Sequence, residues 1–273
     1  MANHISALSN LSSLLSDAEG LVTALETAIE EKSLLVHYQP QLDTKSNSFV
    51  HLEALVRWNH PLRGMISPAI FVPIAEQSGL IEAMTELIID QVKSDLDEWH
   101  RDNVVKTVAI NISAAFFADA ETAGRLFAKL KQLREHASSV TLELTETAIV
   151  ENKKLARECL EELRGLGFSI SLDDFGTGHA SLAYLLEFPI DEIKIDRSFV
   201  SQIGKSEKSL QIVKSVLFLA KALGLDVVAE GIEKFEELQI ISELGCSRFQ
   251  GYYFSPAVPK CQLEVCTQWK ISA

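Results

Sequence analysis

The stretch Ser139–Gly178 reads S-V-T-L-E-L-T-E-T-A-I-V-E-N-K-K-L-A-R-E-C-L-E-E-L-R-G-L-G-F-S-I-S-L-D-D-F-G-T-G. In 139–145, Val140, Leu142 and Leu144 alternate with Thr141, Glu143 and Thr145, the period of a strand with one apolar face. An amphipathic segment over 152–165 follows, stopped at Gly165, and reads as a helix. In 168–174 the alternation returns, with Ile170 and Leu172 on one face and Ser169, Ser171 and Asp173 on the other. Strand, helix and strand in this order suit a parallel sheet with a crossover helix. The second strand then delivers two adjacent carboxylates, Asp173 and Asp174, into the glycine-bracketed loop Phe175–Gly178. Neighbouring anions at a strand end are costly without a counter-charge, and divalent cations bound through oxygen are the usual answer.

Working outward, the same alternation runs along the chain. Strand-like runs lie near 34–40, 49–57, 106–112, 139–145, 168–174, 191–196, 225–230 and 247–254. A helix begins at Ser67-Pro68, with proline at its first position. Others are expected over 80–101, 119–136, 206–223 and 233–244, the last two stopped by Gly224 and Gly245. The segment 179–188 is short and helical at most. About eight β/α units predict an α/β fold closed into a barrel rather than an open sheet. Ser16 followed by Glu19 resembles a capping box for a helix to about Lys32. Residues 1–16, with Ile5, Leu8, Leu11 and Leu15 at helical spacing, read as a weak amphipathic helix or a linker remnant. Residues 17–273 read as one domain.

Bulk properties narrow the function. The 273 residues are 47% hydrophobic, enough for a sizeable core, and carry a net charge of -13. That balance argues against a basic nucleic-acid surface, yet leaves room for a phosphate ligand if metals supply positive charge. The cysteines at 159, 246, 261 and 266 form no C-x-x-C pair and read as reduced structural thiols of a cytosolic protein. The most apolar stretch, 212–232, is broken by Lys214, Lys221, Asp226 and Glu230, so no membrane span is expected.

Near successive strand ends the inward-facing positions hold Gln39, Glu53, Arg57, Asn111, Glu143, Asp173, Asp174, Lys194, Asp196, Glu230 and Gln250. In a (β/α) barrel the C-terminal rim is where chemistry sits. One lysine and one arginine cannot neutralise that many buried acids. Oxygen donors without clustered His or Cys point to Mg2+ or Mn2+. Two such ions suit phosphodiester cleavage. Lys194 would orient the attacking water or stabilise developing charge, and would act as a base only with a lowered pKa, which nearby metals favour. The alternative is an internal ion pair of Lys194 with Asp196 or Glu192.

The motifs resemble those of the EAL-type cyclic di-GMP phosphodiesterases. They are E-A-L-V-R-W from Glu53, Y-Q-P at Tyr38–Pro40, N-I-S at Asn111–Ser113 and E-L-T-E at Glu143–Glu146. D-D-F-G-T-G follows at Asp173–Gly178, K-I-D at Lys194–Asp196, A-E-G-I-E at Ala229–Glu233 and Q-G-Y-Y-F at Gln250–Phe254. They stand in order across roughly residues 30–260. The resemblance implies a modified TIM (β/α)8 barrel with one antiparallel strand, and hydrolysis of cyclic di-GMP to linear pGpG. It implies that Glu53, Asn111, Glu143 and Asp173 hold one metal ion, and that Asp173, Asp174 and Glu230 surround a second. Lys194, with Glu53 and Glu230, matches catalytic positions. Gln39, Leu55, Arg57 and Gln250 match substrate-contacting ones. The guanines need apolar partners, for which Leu55, Pro40 and Tyr252 are candidates, with core packing the alternative for each. Glu146, Asp196 and Glu233 match loop-supporting positions. After D-D-F-G-T-G the chain has His179-Ala180 where the family usually shows Tyr-Ser. The resemblance also leaves open a non-hydrolysing cyclic di-GMP receptor working through a protein partner, a homodimer, and an upstream sensor domain or regulatory partner.

Overall fold

The computed structural model describes residues 19–145, 152–176 and 182–266. Glu146 and the His179-Ala180 pair lie outside the described residues. The strands are β1 (Leu35–Asp43), β2 (Ser48–His60), β3 (Gly64–Ile66), β4 (Thr107–Asn111), β5 (Val140–Thr145), β6 (Ser169–Phe175), β7 (Glu192–Ile195), β8 (Asp226–Ala229), β9 (Arg248–Gln250) and β10 (Val258–Pro259). The helices are α1 (19–30), α2 (Pro68–Ser78), α3 (Ile81–Arg101), α4 (Ala120–Leu130), α5 (Lys153–Gly165), α6 (Leu182–Glu187), α7 (Arg197–Val200), α8 (Glu207–Leu223), α9 (Phe235–Glu243) and α10 (Leu263–Cys266).

The chain forms two compact units. One comprises the described residues up to Val36 together with Val56–Ile88; the other comprises His37–Leu55 and the described residues from Ile89 onward. In the first unit, β3 pairs antiparallel with the end of β2, with Trp58 opposite Ile66. Trp58 packs edge-on against Phe71 of α2, with ring centroids 5.6 Å apart. As expected, α2 starts with Pro68 behind Ser67, and Gly79 closes it in the left-handed conformation at φ 76°.

The second unit holds the barrel. β2, β4, β5, β6, β7, β8 and β9 run parallel in that order, and β1 pairs with both β9 and β2 to close the ring of eight strands. β1 runs antiparallel to β9, with Gln41 opposite Gln250. The fold is the modified TIM (β/α)8 barrel with one antiparallel strand. The apolar alternates face the helices: Val140, Leu142 and Leu144 of β5, and Ile170 and Leu172 of β6, are buried. Capping sets the crossover helices. Asp119 accepts from the amides of Glu121 and Thr122, Asn152 from Leu155, and Ser206 from Ser209. Gly224 ends α8 in the left-handed conformation.

Two expected elements differ. The helix expected over 119–136 is α-helical only over Ala120–Leu130 and continues as a 3-10 helix over Lys131–Ser139. Leu130, Leu133 and the nearly buried His136 recur every third residue, the repeat of that tighter helix. The strand expected over 247–254 stops at Gln250. A Cβ on Gly251 would lie 2.0 Å from the Ile232 carbonyl oxygen, so the chain there is pressed against residues that follow β8. Tyr253 donates its amide to the same carbonyl at 2.9 Å, which folds the segment into a turn.

Candidate active site

Parallel registration brings the inward side chains to one rim. Asn111 of β4 stands opposite Glu143 of β5, and Thr145 opposite Asp173 of β6. Glu230 follows β8 directly and donates its amide to the Ile195 carbonyl at 3.1 Å. Between Leu172 and Phe175 the β6–β7 register shifts. Asp174 within that irregularity has φ 54°, and its amide donates to Asp173 Oδ1 at 2.8 Å. A bulge of this kind re-aims side chains that simple alternation would send to opposite faces. Asp173, Asp174 and Glu230 each place an oxygen within 4.8 Å of the others.

Lys194 of β7 is 1% exposed at the centre of the rim. Its Nζ lies 2.7 Å from Glu230, 2.9 Å from Glu143, 3.4 Å from Asp173 and 3.7 Å from Glu53. Glu192 and Asp196, its alternative partners by sequence, are engaged elsewhere. Glu192 pairs with Arg248 and accepts from Ser171, while Asp196 caps α7 by accepting from the Ser198 amide. Burial works against the charged ammonium, but the carboxylates, Glu143 foremost, outweigh it and hold its pKa well above the usual lysine value. The lowered pKa required of a base is therefore not produced by the chain itself.

One ammonium does not neutralise four acids. Burial raises the Glu143 pKa well above the carboxylate range, with Lys194 pulling the other way. Burial likewise raises Glu230 against the pull of Lys194. Both Glu143 oxygens are buried, and the cation beside them is the Lys194 ammonium, 2.9 Å from Oε2 and shared with Glu230, Asp173 and Glu53. Four acids sharing one ammonium are short of positive charge, and the ligand atoms they offer are oxygens. The residues therefore fit hard divalent cations. Glu53 behaves differently. Burial alone would raise its pKa, but Lys194 and the Gln250 and Asn111 amides bring it below the usual value. Asn111 donates to Glu53 Oε1 at 2.9 Å and Gln250 donates to Oε2.

Glu53, Asp173, Lys194, Glu230 and Gln250 open into a cavity of about 260 Å3 in the second unit, bordered by Gln39, Leu55, Tyr252 and the Arg197–Glu233 ion pair. Arg57 falls in the first unit and donates to its own Val56 carbonyl. Gly231, at φ 67°, leaves room for Arg197; a Cβ there would come within 2.4 Å of its side chain.

The profile of the EAL domain family matches residues 22–257. The chain belongs to the EAL domain family. Cyclic di-GMP phosphodiesterase PdeR of Escherichia coli K12 is 38% identical to this EAL domain over 244 residues, covering 89% of the chain and 37% of PdeR. Cyclic di-GMP phosphodiesterase NbdA of Pseudomonas aeruginosa is 37% identical over 241 residues, covering 88% of the chain and 31% of NbdA. The chain thus spans about a third of the length of these curated relatives. Among solved EAL structures, the PaMucR phosphodiesterase in complex with c-di-GMP superposes with TM-score 0.81 at 35% identity, covering 89% of this chain and 99% of that one. The EAL enzyme Bd1971, bound to cAMP and cyclic di-GMP, gives TM-score 0.84 at 33% identity, covering 93% and 70%.

Sequence reasoning set Ser171 on the Asp173 face and weighed Glu192 as a partner of Lys194, but did not single out the deeper polar layer of this EAL barrel to which they belong. Gln41, Ser171, Glu192 and Arg248 are interior groups with defined partners. His51 joins Thr107 at 2.6 Å, its pKa pushed down to about 4 by burial first and Arg248 second. Each lies two residues from a rim residue on its strand and shares its face: Gln41 with Gln39, His51 with Glu53, Ser171 with Asp173, Glu192 with Lys194, and Arg248 with Gln250. Among the described residues no helix is long and apolar enough to cross a membrane.

Proposed function

We infer that this EAL domain hydrolyses one phosphodiester bond of cyclic di-GMP, releasing linear pGpG, with Mg2+ or Mn2+ held at the barrel rim. The observation that carries the reading is the buried Lys194 ammonium shared among four acids, Glu53, Glu143, Asp173 and Glu230, which one cation does not neutralise. Glu53, Asn111, Glu143, Asp173, Asp174 and Glu230 are the residues that would hold two ions. Such ions supply Lewis acidity and the positive charge that lets a phosphodiester dianion approach an acidic rim. Lys194, kept protonated, donates a hydrogen bond toward negative charge developing at the reacting phosphate. Glu53 stays ionised and fixed in direction because Asn111 and Gln250 hold one oxygen each. Leu55 and the 68%-exposed Tyr252 offer flat apolar surface to the guanines, and Gln39 offers an amide at the cavity edge. Names of relatives that act on cyclic di-GMP support the same substrate.

The test is mass spectrometry of cyclic di-GMP incubated with the pure protein. We expect pGpG with Mg2+ and none with a chelator. Binding without cleavage under every metal would favour a receptor instead, and no binding at all would sink both readings. With Ca2+ in place of Mg2+, binding should persist while cleavage slows, because the larger ion relaxes the coordination geometry.

A further inference from the structure

We propose that Gln41, which the expected site leaves out, is a positioning residue that fixes the Glu53 carboxylate through Gln250; the proposal rests on the phosphodiesterase reading above. Gln41 is 3% exposed inside the barrel. Its Nε2 donates to Gln250 Oε1 at 2.8 Å. The Gln250 amide then directs its Nε2 to Gln39 Oε1 at 3.1 Å and to Glu53 Oε2. Gln39 in turn donates its own Nε2 to the Ser255 carbonyl at 3.1 Å.

The direction of every amide in this chain follows from what its partner can do. An ionised carboxylate and a backbone carbonyl only accept, so Glu53 and Ser255 each demand an N–H. Gln39 meets Ser255 with its nitrogen and so turns its oxygen toward Gln250. Gln250 thereby spends both N–H bonds on acceptors, and its oxygen requires a donor. Gln41 is that donor. Without it the Gln250 oxygen is buried and unsatisfied, and a flip of the amide would relieve that only by turning the oxygen toward Glu53, acceptor against acceptor.

The antiparallel strand makes this possible. Gln41 and Gln250 are directly opposed Cα partners between β1 and β9, the closest side-chain approach a sheet provides. Gln39, two residues away on β1, reaches the same amide. The inverted strand thus supplies two consecutive interior side chains to one glutamine of its neighbour.

A partner that orients a metal-binding carboxylate typically affects metal affinity or activity by about 10–100-fold. The experiment is a double-mutant cycle on the full chain: wild type, Gln41→Met, Gln250→Met and the pair. The readouts are kcat and KM for cyclic di-GMP, and Mn2+ affinity by calorimetry without substrate. We expect Gln41→Met to lower kcat about tenfold and weaken Mn2+ about tenfold, with KM within about twofold and the cooperative melt retained. The double variant should be no worse than Gln250→Met alone, because Gln41 acts through Gln250. Additive losses, or loss of KM and kcat together with a collapsed melt, would mean an ordinary packing role and overturn the proposal. An active, Mn2+-binding wild type with an indistinguishable Gln41→Met variant overturns this inference alone. A wild type that neither binds Mn2+ nor cuts the dinucleotide overturns the phosphodiesterase reading and this one with it.

Discussion

Lys194 is charged in this barrel because four carboxylates outweigh the cost of burying it. Its replacement separates two effects. Lys194→Met should lower kcat by about 10²–10³, the span of a lost donor to developing negative charge, while dinucleotide binding persists. In chelator the variant should also lose about 3–5 kcal/mol of stability, since breaking one side of a buried pair strands the other; Mn2+ should restore much of it. Retained turnover would remove the lysine from the mechanism, and an unchanged denaturant midpoint in chelator would contradict the electrostatic account. Cys246 gives a second test at this scale. Burial pushes its thiol pKa up to about 11, and it points at the Val227 and Arg248 carbonyls. At pH 8 it should resist iodoacetamide in the folded protein while exposed Cys261 labels readily. Peptide mass spectrometry after timed labelling reads both.

At the scale of elements, the turn after β9 and the cap of α4 carry the clearest consequences. Gly251→Ala would place a methyl 2.0 Å from the Ile232 carbonyl oxygen and 2.3 Å from its nitrogen. Neither backbone atom can step aside without disturbing the Ile232 amide bond to the Gln250 carbonyl. We expect a loss above about 3 kcal/mol, in the range of severe steric substitutions, and weakened cyclic di-GMP binding, because Gly251 borders the cavity. A denaturant midpoint within error of wild type would show that the backbone yields. Asp119 is a milder case. The Thr122 amide, with the Thr122 hydroxyl and the Glu121 amide, lowers its pKa below the unfolded value. The cap therefore stabilises fully above about pH 4, the unfolded aspartate pKa, and its contribution fades as pH falls through the lower folded value. The Tm gap between wild type and Asp119→Ala should be present at pH 7 and close toward pH 2. A gap independent of pH would show that the charge is irrelevant.

At the scale of the whole molecule, the excess of acid at the rim couples folding to cations. A cation that binds the folded chain at a hundred times its Kd adds about 2.7 kcal/mol, or about 5–10 °C in Tm for a chain of this length. Mg2+ or Mn2+ should therefore raise the melting temperature, and chelator should reverse the gain. Glu143→Gln should reduce the gain while leaving the chelated melt near wild type, since a neutral amide suits a pocket in which burial already disfavours the anion. Identical melts with Mn2+ and with chelator would leave the rim without its cations.

The sequence by itself determined the alternation of strands and helices, the closed α/β barrel, and the rim acids, because period-two patterning and capping are local properties of the chain. Ser139–Gly178 shows both kinds of signal, and its strands and helix stand where the pattern put them. The end of α4 was not legible, because its change to a 3-10 helix follows from which side chains find burial. The turn at Gly251 was hidden as well, since its cause is the backbone of Ile232, nineteen residues away. At the site, residue types were readable but charge states and directions were not. That Lys194 is held protonated, that the Glu53 pKa is lowered while that of Glu143 is raised, and that Gln41 reaches Gln250 all depend on distances between strands far apart in sequence. Only the folded barrel sets those distances, because Coulomb and hydrogen-bond energies act through space.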